Sequence, residues 1–377
     1  MRVDLDAVAS FSETGDEGGR RAAESLETMT GVAANCDLTR TTLVDADGLE
    51  AFLGDEPTRF EVEFGGALSG RAYVSFDGAF ARNVADELAM GEAALPEIAN
   101  ILTSGFVDVW AERAPDTIDI HPPVEVEDDE SLAPDASVVD GAAFVFESQV
   151  TFAGAGECRF AVVPDAESFA EFLAADDDAM SWDGLSAYLR LASESAANVQ
   201  SHLAAMTGVD AELVESHVDF VPVERVPSLL DDAAYEGAVF ESEGAVESVI
   251  AILFDEAEPG AVAGAMLGDD PDPDLAESAV AELGNVTASG FLDEWANALD
   301  TTIDVSTPSH VRDDGRAVLD TVAAAYGRHA DTIAVVNTTV ALGDDLVCRV
   351  CAFPNPEDAD TLGEIAAALD ANAGETE

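Results

Sequence analysis

Two stretches of this chain repeat one another. From Leu95 to Pro123 it reads LPEIANILTSGFVDVWAERAPDTIDIHPP, and from Val280 to Pro308 VAELGNVTASGFLDEWANALDTTIDVSTP. Both carry a Glu, an Asn three residues on, then Ser-Gly-Phe and Asp-x-Trp-Ala, at an offset of 185 (Glu97 to Glu282, Asn100 to Asn285). Such self-similarity governs every local reading that follows. It extends beyond the motif. ESLETMTG (24–31) matches SHLAAMTG (201–208) and ADELAMG (85–91) matches AGAMLG (263–268), both at 177. ECRFAVVPDAESFAEFL, from Glu157, matches VCRVCAFPNPEDADTLG, from Val347, at 190. The offset grows because DDPDPDL (269–275) adds length to the second copy. The order of elements is the same throughout, so the chain reads as a tandem duplication with units at 1–175 and 180–371. A chain of 377 residues suits two such domains better than one core. The break falls in AADDDAMSWDG (174–184), which is acidic and aperiodic.

Within each unit the pattern reads helix, strands, short helix, long helix, strands. ARNVADELAMG (81–91) looks helical and ends on Gly91, a C-cap residue. LPEIANILTSGFVDVWAERA (95–114) has apolar residues at 95, 98, 102, 106, 109 and 110, which is helical spacing, and Pro96 suits a first turn. GGALSGRAYVSF (65–76), GAAFVFESQVTFAGAGECRFAVV (141–163) and DTIAVVNTTVALGDDLVCRVCAF (331–353) read as strand pairs joined by Gly-rich turns. The class expected is α+β, with long helices packed on antiparallel sheets.

Charge narrows the setting. There are 78 acids against 15 arginines and no lysine, a net charge of −63. Apolar residues make up 48%, so a packed core is available and the acids read as a surface shell. Such a shell suits cytoplasm at molar salt, where the Debye length shrinks to ~3 Å. The source reads as a halophile. Nucleic acid is excluded as a partner, because no basic patch exists to neutralise phosphates. No apolar run approaches the ~20 residues that span a bilayer. MRVDLDAVAS lacks the build of a signal peptide, so membrane insertion is not expected and the expected location is cytoplasmic. Of the cysteines, Cys348 and Cys351 have metal-like spacing. They lie in an apolar, β-branched run, where residues three apart point to opposite faces, so buried thiols are expected rather than zinc.

Glu97 and Asn100 are neighbours on one helix face, and Ser104 continues that face a turn on. Glu282, Asn285 and Ser289 repeat the arrangement. The apolar stripe lies to one side. A carboxylate and a carboxamide cannot form a nucleophilic triad, and the five histidines scatter. One carboxylate per site is poor for metal. The pair can hold and polarise a water, with Glu accepting its proton and Asn orienting it or a carbonyl. That suits hydrolysis of an already reactive bond, where positioning does most of the work. Two surface polar residues carried on a repeat would give the same pattern.

The motif resembles that of the CheC/CheX/FliY family of chemotaxis phosphatases, whose signature is Asp/Ser-x-x-x-Glu-x-x-Asn, twenty-two residues and a Pro. Ser278, Glu282, Asn285 and Pro308 match it fully. Glu97, Asn100 and Pro123 match with the same spacing, but Ala93 replaces the leading residue. The resemblance spans nearly the whole chain and implies tandem CheC-like units. A unit of that family has two pseudo-symmetric halves, each with a Glu/Asn helix. Register from the shared Met-Thr-Gly places Glu13 and Asp16 as an altered half-site, and Arg190 and Ser193 as a lost one. The implied activity is hydrolysis of the aspartyl phosphate of a CheY-like response regulator in chemotaxis or archaellum signalling. Glu97 or Glu282 would position the water and Asn100 or Asn285 would hold the acyl-phosphate. No cofactor of the chain's own is implied, since Mg²⁺ belongs to the regulator. The second reading is a non-catalytic adaptor. CheC relatives bind the receptor deamidase CheD, and flagellar-switch relatives of the fold lack the Glu/Asn pair.

Overall fold

The computed structural model describes residues 2–3, 5–53, 58–76, 78, 80, 94–126, 136–153, 156–173, 180–244, 246–255, 260–268, 272–326, 332–343 and 346–354. The short helix expected over 81–91, with Gly91 and Ala93, lies outside them. The chain divides into two compact units, Met1–Trp182 and Asp183–Glu377.

The first unit runs β1 (Arg2–Val3), α1 (Leu5–Thr30), β2 (Ala34–Val44), α2 (Ala46–Leu53), β3 (Thr58–Gly66) and β4 (Gly70–Phe76). It continues with α3 (Ala94–Ala111), β5 (Ile118–Ile120), β6 (Val124–Glu125), β7 (Ala143–Phe152), β8 (Gly156–Pro164), α4 (Ala166–Phe172) and β9 (Met180–Ser181). Its strands pair antiparallel in the order β2-β7-β8-β4-β3-β5, with β6 also on β3. Strand alternation gives this sheet two apolar faces. On one, Val145, Ala161, Val163 and Tyr73 pack against Leu49 and Leu53 of α2. On the other, Phe146 and Phe160 meet the long helices: Phe11 of α1 stands 4.7 Å from Phe146, and Phe106 of α3 stands 4.7 Å from Phe160.

Glycines lower helix propensity, yet α1 carries three in its middle, at 15, 18 and 19. Packing explains Gly18, and likewise Gly105 of the facing helix α3. A Cβ on Gly18 would lie 2.8 Å from the Cα of Phe106, and one on Gly105 of α3 would lie 2.6 Å from the Ala22 methyl. The two helices therefore touch backbone to backbone. After α3 the chain returns to the sheet edge, where β5 pairs with the end of β3 (Phe64 to Ile120, Gly66 to Ile118). Gly66 has φ 127°, and a Cβ there would collide with the Thr117 carbonyl, so this edge closes only on glycine.

The second unit runs α5 (Trp182–Thr207), β10 (Ala211–Pro222), a 3₁₀ segment (Val223–Leu229), β11 (Ala234–Gly244), β12 (Ser248–Asp255) and α6 (Ala261–Leu267). It continues with α7 (Pro273–Ala298), β13 (Ile303–Val305), β14 (Ser309–Asp314), α8 (Gly315–Tyr326), β15 (Thr332–Leu342) and β16 (Leu346–Pro354). The antiparallel order is β13-β11-β12-β16-β15-β10, with β14 also on β11. This repeats the first unit strand for strand. α7 lies over Ala238 and Phe240 of β11 at Gly284. The opposite face buries Tyr235, Leu253, Val335, Cys351 and Phe353 under α8 and the 3₁₀ segment.

Of the acidic stretch 174–184 the described part, 180–184, is more structured than its composition implies. Met180 and Ser181 pair with Val3 and Arg2. Trp182 is buried, 5.8 Å from the Phe144 ring, and its indole N–H donates to the Val139 carbonyl at 2.8 Å. Both contacts join residues far apart in sequence. Cys348 and Cys351 occupy β16 three residues apart, on opposite faces, and both are buried. No helix among the described residues is long and apolar enough to cross a membrane.

Candidate functional site

The apolar periodicity of the motif helices decides what they present. On α3, Leu95, Ile98, Leu102, Phe106, Val109 and Trp110 are all buried. That leaves Glu97 exposed in the first turn and Asn100 and Ser104 half-buried at its flank. On α7, Leu283, Thr287, Phe291 and Trp295 are buried, Glu282 is exposed, and Asn285 and Ser289 are half-buried. Among the described residues, the side chains of Glu97, Asn100, Glu282 and Asn285 make no hydrogen bond or ion pair. Each pair therefore offers solvent a carboxylate and a carboxamide one helical turn apart, with Cβ atoms about 5–6 Å from each other. Both groups remain available to an incoming molecule.

The remaining motif positions fall around these pairs. Ser278 is exposed on α7, and its hydroxyl donates to the Asp274 carbonyl at 2.8 Å. Pro123 and Pro308 are half-buried in the links between β5 and β6 and between β13 and β14.

The companion half-sites lie on α1 and α5. Glu13 is exposed and Asp16 half-buried on α1; Arg190 is exposed and Ser193 half-buried on α5. Asp16 is not free. A turn on, Arg21 bridges Glu17 at 3.1 Å and Glu112 at 2.7 Å. The helices of each pair run antiparallel. Phe11 stacks on Trp110 at 4.3 Å, Gly18 faces Phe106 and Ala22 faces Gly105. In the second unit Tyr188 meets Trp295 edge-on at 5.5 Å, and Asn198 donates to Glu294 at 2.6 Å. Glu13 and Asp16 therefore sit toward the C-terminal half of α3, while Glu97 and Asn100 sit toward the C-terminal end of α1. At 1.5 Å rise per residue the two half-sites are on the order of 15 Å apart along the pair. They are separate sites and do not combine into one carboxylate cluster.

One feature escaped the sequence reading. α7 starts at Pro273, capped by the Asp272 side chain, which accepts from the Asp274 N–H at 3.1 Å. Nine helical residues precede Glu282, whereas Glu97 is in the first turn of α3. The Asp-Pro-Asp of the inserted segment carried the signal, since Asp at N-cap before Pro at N1 starts a helix.

Fold and site define a duplicated α+β protein that presents unengaged Glu/Asn pairs on helices laid over antiparallel sheet. Comparisons with known proteins give its family. The model of the CheC-like family matches residues 90–127 and again 275–312. A protein of Halobacterium salinarum described as "Putative CheY-P phosphatase CheC1" is 32% identical over 133 residues, covering 34% of this chain and 68% of the relative. Among solved structures, FliY of Thermotoga maritima aligns with TM-score 0.38 and 18% identity over 46% of this chain and 96% of its own. A chain of a CheX–CheY–BeF₃–Mg complex of Borrelia burgdorferi gives TM-score 0.29 and 19% identity over 39% of this chain and 96% of its own. The chain belongs to the CheC-like family, and it carries the family's unit twice.

Proposed function

We propose that this protein is a phosphatase that accelerates hydrolysis of the aspartyl phosphate of a CheY-like response regulator. The observation that carries the reading is the pair of Glu-x-x-Asn sites, Glu97/Asn100 and Glu282/Asn285, repeated in register, each an exposed Glu beside a half-buried Asn and unengaged among the described residues. Membership of the CheC-like family and the name of the Halobacterium salinarum relative support it.

The chemistry asks little of the chain. An acyl phosphate is already reactive, and a hundredfold acceleration corresponds to only about 2.7 kcal/mol of barrier. Positioning alone can supply that. The motif helix docks over the phosphorylated aspartate. The Glu carboxylate accepts a hydrogen bond from one water and aims its oxygen at phosphorus in line with the P–O bond to the aspartate. The Asn carboxamide, with both a donor and an acceptor, fixes the water or the acyl oxygen. The water oxygen bonds to phosphorus, the P–O bond to the aspartate breaks, and the electron pair leaves with the aspartate as a free carboxylate. The water's protons pass to the phosphate product or to solvent. The Mg²⁺ of such a reaction is the regulator's, bound with the substrate.

Replacing Glu97, Asn100, Glu282 and Asn285 together by Ala tests the reading. None of the four is buried, so the fold is expected to persist. Stimulated decay of a phosphorylated CheY-like regulator, measured in multimolar KCl, is expected to fall to the regulator's own rate. Undiminished acceleration by the fourfold variant rules the assignment out. Binding without acceleration by the unaltered chain points instead to an adaptor.

A further inference from the structure

Among the described residues the exposed large apolar side chains are Val124, Val214, Leu267 and Leu275. A single exposed leucine needs no explanation. Leu275 is distinguished by its place. Positions 275, 278, 282, 285 and 289 follow one another every three or four residues. At about 100° per residue they fall within about 80° of arc on α7. The stripe that carries Ser278, Glu282 and Asn285 therefore begins on a leucine that is 54% exposed. That leucine closes DDPDPDL (269–275), the segment by which the second unit exceeds the first. The turns carrying it are held helical by the Asp272 cap, and exposed acids surround it at Asp272, Asp274 and Glu277.

We propose that Leu275 is the docking anchor of the second-unit site. Its occupant is the protein domain that bears the aspartyl phosphate, an identity that rests on the function proposed above. Seven residues separate Leu275 from Glu282, about 10 Å along a helix. The partner must then offer an apolar depression about 10 Å from its phosphorylated aspartate. The acids around Leu275 require that depression to be rimmed by basic side chains. A central apolar side chain entering a pocket is the kind of contact that dominates interface affinity.

The test uses the full chain with Glu97→Ala and Asn100→Ala, so that only the second site reports. The probe is the CheY-like regulator of Halobacterium salinarum in multimolar KCl. It is charged with acetyl phosphate for decay measurements and with beryllofluoride for calorimetry. Leu275→Ala is expected to raise the half-saturating concentration and the Kd about tenfold, with the effect on KM and not on the limiting rate. Leu275→Met is expected to restore most of the loss, and Leu275→Glu to abolish measurable binding. Circular dichroism checks that each variant is folded. Kd values for Leu275→Ala and Leu275→Glu within twofold of the parent overturn the inference and leave the phosphatase reading standing. A parent that binds without accelerating decay overturns the hydrolytic reading, while the calorimetry still decides the anchor. A parent that neither binds nor accelerates overturns both.

Discussion

Trp295 donates its indole N–H to the Ser195 hydroxyl at 3.1 Å, with both residues buried, and so ties the motif helix α7 to its companion α5. In the first unit the equivalent Trp110 donates instead to the Phe11 carbonyl of α1, at 3.4 Å. Ser195 stands at the repeat position of Gly18, and Tyr188 at that of Phe11. The same tryptophan fastens both helix pairs, but with different acceptors. The repeated Asp-x-Trp-Ala thus has a structural task, two to three turns beyond the half-buried Asn.

Removing that acceptor has a defined cost. Ser195→Ala leaves the buried indole N–H of Trp295 without its partner, a loss of roughly 1–3 kcal/mol. Thermal unfolding in multimolar KCl, followed by circular dichroism, is expected to show a lower midpoint. An unchanged midpoint would mean that the bond adds nothing or that a water takes its place.

The acidic shell makes the fold depend on salt. A net charge of −63 repels itself strongly when the Debye length grows to ~10 Å at 0.1 M. Loss of far-ultraviolet dichroism is expected on dialysis from multimolar KCl to about 0.1 M, with recovery on return. A cooperative native fold at the lower salt contradicts the halophilic reading.

The Glu13/Asp16 half-site is expected to be silent. Asp16 places a carboxyl group where the matched sites place a carboxamide, so in its charged form it offers no donor. Two like unit charges 4 Å apart repel by roughly 4 kcal/mol at an effective dielectric near 20, enough to cost tenfold or more in rate. With Asn100 and Asn285 changed to Ala and Glu13 and Asp16 intact, single-turnover decay of the regulator is expected at background. Asp16→Asn in that setting is expected to restore part of the activity. Near-full activity that then disappears on Glu13→Ala would show this site working.

The thiols of β16 give the alkaline limb of stability. Burial pushes Cys351 up to about 12 and also raises Cys348, from an ordinary value of 9.0. Above about 9 the unfolded chain releases these protons and the native chain does not. The stabilisation is therefore complete below about 9 and declines as pH rises toward about 12, by roughly 1.4 kcal/mol per pH unit for each thiol. Unfolding midpoints are expected to be flat in this respect up to about pH 9 and to fall beyond it. The Cys348→Val, Cys351→Val double variant is expected to fall less steeply. Equal slopes would show that the thiols already ionise in the native state.

Much of this protein was decided by local sequence. The stripe at Leu95, Ile98, Leu102, Phe106, Val109 and Trp110 fixed which side of α3 is buried, and so which side carries Glu97 and Asn100, because a 3.6-residue period leaves one face for each. Gly-bounded alternation gave the β7–β8 and β15–β16 hairpins for the same local reason, and the doubled motif gave the two units; of the pair expected within 65–76 it gave β4 alone, because β3 lies at Thr58–Gly66, almost wholly ahead of that stretch. Other features answered to partners far along the chain. Trp182 lies in a stretch whose composition reads as linker, yet Phe144 and the Val139 carbonyl hold it. Gly18 of α1 and Gly105 of α3 are helix-weakening by propensity, and only Phe106 and Ala22 across the pair show why a Cβ does not fit at either. The exposure of Leu275 is likewise not told by periodicity alone. A helix or hairpin is specified by contacts within a few residues of itself. The partner of a helix end, a close backbone approach or an uncovered side chain is specified by which distant segments reach the same place, and that is settled only when the whole unit packs.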